Sequence, residues 1–354
     1  MASTTSLPFI GTLPAGTRDA ITDVAGVTVG HRTLADGPVQ TGVTVIRPHA
    51  GDPFRDKVPA AAVVLNGFGK SVGLVQLAEL GVLETPIALT NTFSVGTVAT
   101  AQIRDCAAAN PETGRALPTV NPLVFECNDG FLNDIQRLAV TEADYLEALA
   151  ATDADFAQGS VGAGRGMSSF QLKGGIGSAS RRVTMADGTT YTVGALVLAN
   201  YGRQPQLVLA GHAVGERLAA LQRASEESSE PEKGSIIIVV ATDAPLDARQ
   251  LRRVALRAGA GLARTGSVFG HGSGDLVLAF STAYTVPDRA DRPMPAVAML
   301  HDTLIDGLFQ AAADSTEQAI LHALWRATPV TGRDGNHRAA LGDLLPASSL
   351  SPLV

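Results

Sequence analysis

The sharpest boundary in the chain falls at Gly234–Ser235, where the polar, acidic stretch ASEESSEPEKG (224–234) gives way within one bond to the apolar run SIIIVV (235–240). A Pro-containing, charged stretch reads as exposed loop, and a short β-branched run reads as a buried strand. Ser235 is therefore expected to open a core strand directly after a flexible linker. A serine so placed can cleave its own preceding peptide bond and then work as a new N-terminus. Gly-Ser before a strand is common, so the dipeptide alone decides nothing.

The chain has 354 residues, of which 45% are apolar and 17% charged, enough to bury a sizeable core. Thirty-seven glycines and 19 prolines point to many tight turns rather than a helical bundle. A net charge of −7, with no basic run, argues against a nucleic-acid or anionic-membrane partner. The N-terminal stretch shows no basic region followed by a long apolar one, and no apolar run is long enough to span a bilayer. Cys106 and Cys127 lack CxxC spacing and read as free thiols. These features together suggest a cytoplasmic protein.

Strand and helix signals alternate without a strict βαβα rhythm, which predicts α/β or α+β layers of sheet covered by helix. Strands are expected at 60–65, 86–96 with its turn, 123–130, 191–202, 235–240 and 275–284, the first being the earliest clear one. Helices are expected at 73–83, 97–109, 134–151 with an interruption near Thr141, and 215–229. A further helix at 248–265 has Asp247 as N-cap, and two more at 299–314 and 315–327 are divided by a capping box of Ser315 and Gln318. The glycine-dense stretch 159–181 is expected to bend between two short extended pieces.

Most familiar motifs fail. NGFGKS (66–71) resembles a phosphate loop, but the first glycine would have to fall at Val64. There is no GxSxG elbow, and the seven histidines form no HExxH or close ligand pair. A hydrolase here needs a base other than histidine. An N-terminal serine supplies one, because its free α-amine has a reference pKa of about 7.7–8.0 and is partly neutral near physiological pH. Gly234 gives access to the carbonyl that Ser235 must attack.

Three further places can complete such chemistry. Asn200 ends the strand-like VLANYG, where its amide can donate to an oxyanion or cap a turn. Ser273 and Asp275 flank a glycine in HGSGD, and on an extended segment both side chains face the same way, toward Ser235. Glu126, in FECNDG, can bind a substrate ammonium or sit in a solvated turn.

With these residues in place, the chain resembles the self-processing aminopeptidases of the DmpA and β-peptidyl aminopeptidase type. The matching stretches include RDAITDVAGVTVGH (18–31), VVLNGFGKSVGLVQLAELG (63–81), TPIALTNTFSVGTV (85–98) and ECNDGFLND (126–134). SVGAGRGMSSFQLKGGIGSASR (160–181), LVLANYG (196–202), GHGSGDLVLAFSTAY (270–284) and GNHRAAL (335–341) continue the match to near the end. The resemblance implies an α+β fold, a four-layer α/β/β/α sandwich similar to N-terminal-nucleophile hydrolases. It implies one domain over 1–354, self-cleaved into chains 1–234 and 235–354.

The same resemblance makes Ser235 the nucleophile, Ser273 and Asp275 its supporting pair, Asn200 the oxyanion donor and Glu126 the carboxylate near the substrate amine. Phe131, where a tyrosine could donate to the oxyanion, falls in the substrate-binding region without a hydroxyl. Asp275 is shorter than the glutamate of some β-aminopeptidases. The implied activity is removal of N-terminal L-, D- or β-aminoacyl residues from short peptides, amides or esters, by a homo-oligomer (a tetramer favoured) that uses no metal or organic cofactor. Two alternatives stand beside it: an acyltransferase related to ornithine acetyltransferases, and an unprocessed relative that binds a metabolite.

Overall fold

The computed structural model describes residues 7–222 and 234–345. Most of the acidic linker, 223–233, lies outside the described residues, as does the continuation of the helix expected to 229. The chain opens with a hairpin that sequence reading did not find, β1 (Thr28–Asp36) and β2 (Val39–Arg47), ahead of β3 (Asp56–Gly67). Then come α1 (Leu74–Leu80), β4 (Ile87–Asn91), α2 (Val95–Ala109), β5 (Leu123–Cys127) and α3 (Glu142–Ala150). The second half holds β6 (Gly175–Thr184), β7 (Thr190–Asn200), α4 (Gly215–Gln222), β8 (Ser235–Thr242), α5 (Ala248–Arg264), β9 (Gly274–Ser281) and α6 (Asp306–Trp325).

Two sheets result. One has the order β1-β2-β4-β5, antiparallel except for the parallel pair β4 and β5. The other runs β3-β9-β8-β7-β6, with two-residue strands Val82–Leu83 and Val286–Pro287 on the early part of β3. Within it only β8 and β9 are parallel. Segments from after residue 235 (β8, β9) therefore lie between segments from before it (β3, β7).

The SIIIVV run shows why the layers stack. Ile236, Ile238 and Val240 face a core shared with Val254, Ala258 and Leu262 of α5 and Ile320 and Leu324 of α6. Ile237, Val239 and Ala241 face the opposite core, shared with Ile87, Leu89, Leu123 and Phe125 of the other sheet. A strand buried on both faces has to be apolar at every position, and each such side chain contributes about 1.5–3 kcal/mol relative to exposure. A third core packs Val43, Val45 and Val124 beneath Val98 of α2 and Tyr145 of α3. The order is thus helix, sheet, sheet, helix, as expected. None of the helices among the described residues is long and apolar enough to cross a membrane.

Local signals account for most element ends. Asp247 accepts the Gln250 N–H at 2.7 Å, and the Gln250 side chain returns to the Asp247 N–H at 3.2 Å, so α5 starts in a capping box. The break near Thr141 is real: a 3-10 turn ends at Arg137, and the Asp144 carboxylate takes the Thr141 N–H at 2.8 Å where α3 begins.

The two C-terminal helices are one, however. Ser315 and Gln318 lie inside α6 as buried side chains, not as a cap. Ser315 Oγ donates to Val193 O at 3.2 Å, and Gln318 Oε1 accepts the Ile10 N–H at 2.9 Å. A helix that is buried nearly all round carries polar residues that look like a boundary until their tertiary partners are known. The glycine-dense stretch bends between two short extended pieces as expected, Ser168–Ser169 and Leu172–Lys173, and its end runs on into the ten-residue β6.

Glycine at 177 lets α6 lie close on β6, since a Cβ there would stand 1.9 Å from Ala319 O and 2.5 Å from Ala323 N. Gly177→Ala is expected to destabilise the protein by about 1–3 kcal/mol, seen as a lower urea midpoint at unchanged m-value. An unshifted midpoint would mean that the helix can lift from the sheet without loss.

Candidate active site

Three strand ends of the larger sheet meet at one edge. The last residue of β7, Asn200, pairs with the first of β8, Ser235, and Ser235 pairs with the first of β9, Gly274. Ser235 is 6% exposed, and its Oγ accepts the Gly274 N–H at 3.1 Å. The bond before it passes tightly beside β7: a Cβ on Gly234 would lie 2.4 Å from Asn200 O and 2.5 Å from Tyr201 Cα. Close backbone approach therefore requires glycine at 234.

Ser273 and Asp275 meet each other, with Ser273 Oγ donating to Asp275 Oδ1 at 2.5 Å, and both are buried. The Ser273 proton is thus committed, which leaves its oxygen able only to accept. The hydrogen bond to Ser235 comes from the backbone N–H of the glycine between them. The Asn66 side chain holds this turn by donating to Gly270 O at 3.0 Å and to Ser273 O.

Glu126 is no turn residue. It lies in β5, 3% exposed, with Oε1 accepting the Lys70 N–H at 2.8 Å and Oε2 accepting a hydrogen bond from the Thr92 hydroxyl. Thr92 is placed by Asn91, whose Oδ1 accepts the Phe93 and Ser94 N–H groups, each at 3.1 Å. The loop carrying Lys70 links the carboxylate to the strand ends. A Cβ on Gly69 would be 3.6 Å from Glu126 Oε1 and 3.9 Å from Gly274 Cα, and Phe68 N–H donates to Ser273 O at 3.2 Å.

Asn200 is oriented by two backbone groups. Its Oδ1 accepts the Ser168 N–H at 2.8 Å, and its Nδ2 donates to Asn128 O at 3.0 Å. Beneath these loops the buried Lys173 ammonium donates to Gly164 O, Met167 O and Gly174 O at 2.8, 2.8 and 2.7 Å, one carbonyl for each proton. Beside Asn128, the buried Asp129 has its Oδ1 on the Asn133 amide at 3.1 Å, and burial pushes its carboxyl up to about 7. Phe131 is 39% exposed, and its ring lies 3.6 Å beneath the Arg338 guanidinium carbon.

Of the residues expected at the site, Asn200, Ser235, Ser273 and Asp275 lie together at the strand ends of the larger sheet, while Glu126, on β5 of the other sheet, reaches them through the loop 67–70. Sequence reading had missed Lys70, Thr92, Asn128, Ser168 and Lys173. Most of these act through backbone groups or come from remote loops, and no spacing marks them. The thiols are unsuited to nucleophilic work: burial pushes Cys106 up to about 11 and Cys127 well above its usual value. Both are free. Among the described residues no group of three or more His, Cys, Asp or Glu could hold a metal ion.

The sequence pattern of peptidase family S58 matches residues 19–338. A β-peptidyl aminopeptidase, BapA, of Sphingosinicella microcystinivorans is 39% identical over 349 residues, covering 93% of this chain and 86% of its own length. The solved structure of a Burkholderia sp. β-aminopeptidase superposes with a TM-score of 0.88 at 40% identity, covering 98% of each chain. That of the L-aminopeptidase D-Ala-esterase/amidase of Ochrobactrum anthropi gives 0.85 at 35% identity, over 95% of this chain and 94% of that one. It is described as a prototype of the serine aminopeptidases and a new variant of the Ntn hydrolase fold.

Asp129 generates a pH test. Its free value is near 3.8 and its folded value about 7, so folding favours the neutral acid. Stability is full below about pH 4, where both states are protonated. It falls as pH rises toward 7, by on the order of 3–4 kcal/mol, because only the unfolded chain ionises. Asp129→Asn should therefore gain stability relative to wild type between pH 4.5 and 7.5, measured as urea midpoints. Parallel curves for the two proteins would show that Asp129 ionises normally.

Proposed function

The chain belongs to peptidase family S58 and is a hydrolase of the serine aminopeptidase type, and on that premise we propose that Ser235 is its nucleophile. The observation that carries this assignment is the side-by-side register of Asn200, Ser235 and Gly274 at the sheet edge, with Glu126 linked to it through the loop 67–70. In the intact chain the Ser235 nitrogen is an amide and cannot accept a proton. Ser235 Oγ attacks the Gly234 carbonyl, the acyl group passes from nitrogen to oxygen, and water hydrolyses the ester. The products are chains 1–234 and 235–354, interleaved in one domain because β8 and β9 of the second lie between β3 and β7 of the first in the larger sheet.

The freed α-amine then takes the Ser235 hydroxyl proton as that oxygen attacks the substrate carbonyl. Ser273, its hydroxyl hydrogen-bonded to Asp275, accepts from the ammonium so formed and holds it. Asn200 donates from Nδ2 to the oxyanion, with the amide kept in that orientation by the Ser168 N–H on its other end. The Glu126 carboxylate, steadied by Lys70 N–H and the Thr92 hydroxyl, pairs with the substrate ammonium. Collapse expels the leaving amine, the Ser235 ammonium supplies its proton, and water releases the aminoacyl group.

The substrates are short peptides, amides or esters with a free amine. The acyl group is of the L-α, D-α or β class, the classes that appear in the relatives' names. The free thiols support a reducing, cytoplasmic setting, and a homo-oligomer, a tetramer above all, is the assembly we favour.

The denatured intact mass should show two wild-type fragments that meet at Gly234 and Ser235, and one whole chain for Ser235→Ala. A single uncut wild-type chain would remove the proposed base. Asn200→Ala should fold yet lose about 100–1,000-fold in kcat, the usual effect of deleting an oxyanion donor; full activity excludes the role. Glu126→Gln should raise KM for free-amine substrates and leave N-blocked ones unaffected, so equal effects on both would rule out amine binding.

A further inference from the structure

Arg338 differs from the part-buried arginines that pair with a carboxylate. Arg55 meets Asp288 at 2.7 Å, Arg264 meets Asp314 at 2.7 Å, and the fully buried Arg181 meets Asp19 at 3.1 Å. Arg338 has no carboxylate partner among the described residues. Its Nε donates to Ser168 Oγ at 3.2 Å, its guanidinium carbon lies 3.6 Å from the centre of the Phe131 ring, and its terminal nitrogens make no hydrogen bond or ion pair among the described residues. Burial alone pulls it down to about 10, still protonated at neutral pH, with no neighbouring anion to offset the desolvation.

The surroundings fix the backbone that carries both Arg338 and Phe131. Lys173 N–H donates to Ala339 O at 2.8 Å, Asn336 Nδ2 donates to Phe131 O at 2.8 Å, and Arg338 itself pairs with Val330. An arginine kept rigid, stacked and unpaired is preorganised for a planar anion. Its location says which anion. Glu126 joins the catalytic edge from the β9 side, through the loop 67–70. Arg338 joins it from the β7 side, through Ser168, whose N–H holds Asn200. Ser235 pairs with both Gly274 and Asn200, so the contacts that run from Glu126 through Gly69 and those that run from Arg338 through Ser168 reach its two strand neighbours.

We propose that Arg338, on its Phe131 platform, binds the free carboxylate of the leaving residue and so makes dipeptides with a free C-terminus the preferred substrates. The inference rests on Ser235 being the nucleophile and Glu126 the amine site. A dipeptide zwitterion would be held at both ends, ammonium on Glu126 and carboxylate on the Arg338 fork, with its scissile carbonyl at Ser235. Phe131 then serves as the surface that orients the guanidinium. An esterified or amidated leaving group would lose the charge-assisted hydrogen bonds and keep everything else.

The test compares one dipeptide with its C-terminal amide on wild type, Arg338→Met and Arg338→Lys. Wild type should favour the free acid by about tenfold or more in kcat/KM, chiefly through KM. The methionine variant should bring the acid-to-amide ratio to about one, and the lysine variant should keep part of the preference. A wild-type ratio near one, or equal losses on acid and amide in the methionine variant, would overturn the proposal; the second result would leave Arg338 only holding Ser168 and Asn200. Ser235→Ala turning over both substrates like wild type would remove the nucleophile assignment instead, and the same ratio would still judge Arg338. Calorimetric binding of the released amino acid and of its amide, to wild type and Arg338→Met, judges it without turnover: weaker binding of the acid alone in the variant supports it, and no difference between the proteins overturns it.

Discussion

The pairing of β8 between β7 and β9 is the contact on which the rest of the molecule depends. One six-residue apolar run supplies a face to the core under α5 and α6 and another to the core between the sheets. The same pairing brings Asn200 and Gly274 to either side of Ser235, so register and site geometry are one fact. A shift of one residue would turn every side chain of the run to the wrong core and separate the serine from its neighbours. Stability here protects function directly.

Around that edge, polar side chains are oriented largely by backbone. Asn200 is held by Ser168 N–H and Asn128 O, Glu126 by Lys70 N–H, and Ser235 by Gly274 N–H. Backbone groups cannot rotate away, so the side chains keep one orientation before any substrate arrives, which is what electrostatic preorganisation requires. The buried Lys173 extends the same logic one layer down. Its three protons tie Gly164, Met167 and Gly174 together beneath the Ser168 turn and make that glycine-rich loop rigid.

The elements legible in the sequence were those whose signals are local. The apolar run at 236–240, the Asp247 cap and the break at Thr141 each depend on a few neighbouring residues, and each appears where expected. What escaped was written in distant contacts. The β1–β2 hairpin mixes exposed and buried positions and includes charged residues, so no apolar run marks it. Ser315 and Gln318 imitate a helix boundary, because their partners Val193 and Ile10 lie more than a hundred residues away. Phe131 has no hydroxyl to offer an oxyanion, and its ring instead lies under the Arg338 guanidinium.

By itself the sequence determined the chemistry on offer: a serine after glycine at a strand start, two carboxylates and an amide at strand ends, and no histidine or metal motif to compete with them. Those choices are set by residue type and short-range periodicity, which one dimension records fully. Only the tertiary structure decided how they face one another. It set the Ser273–Asp275 bond that leaves an acceptor oxygen, the backbone groups that orient Glu126 and Asn200, and the Arg338 that bonds Ser168 without a carboxylate partner among the described residues. Angstrom-scale proximity among segments separated by up to two hundred residues follows from packing three cores at once, and no stretch of sequence contains that information alone.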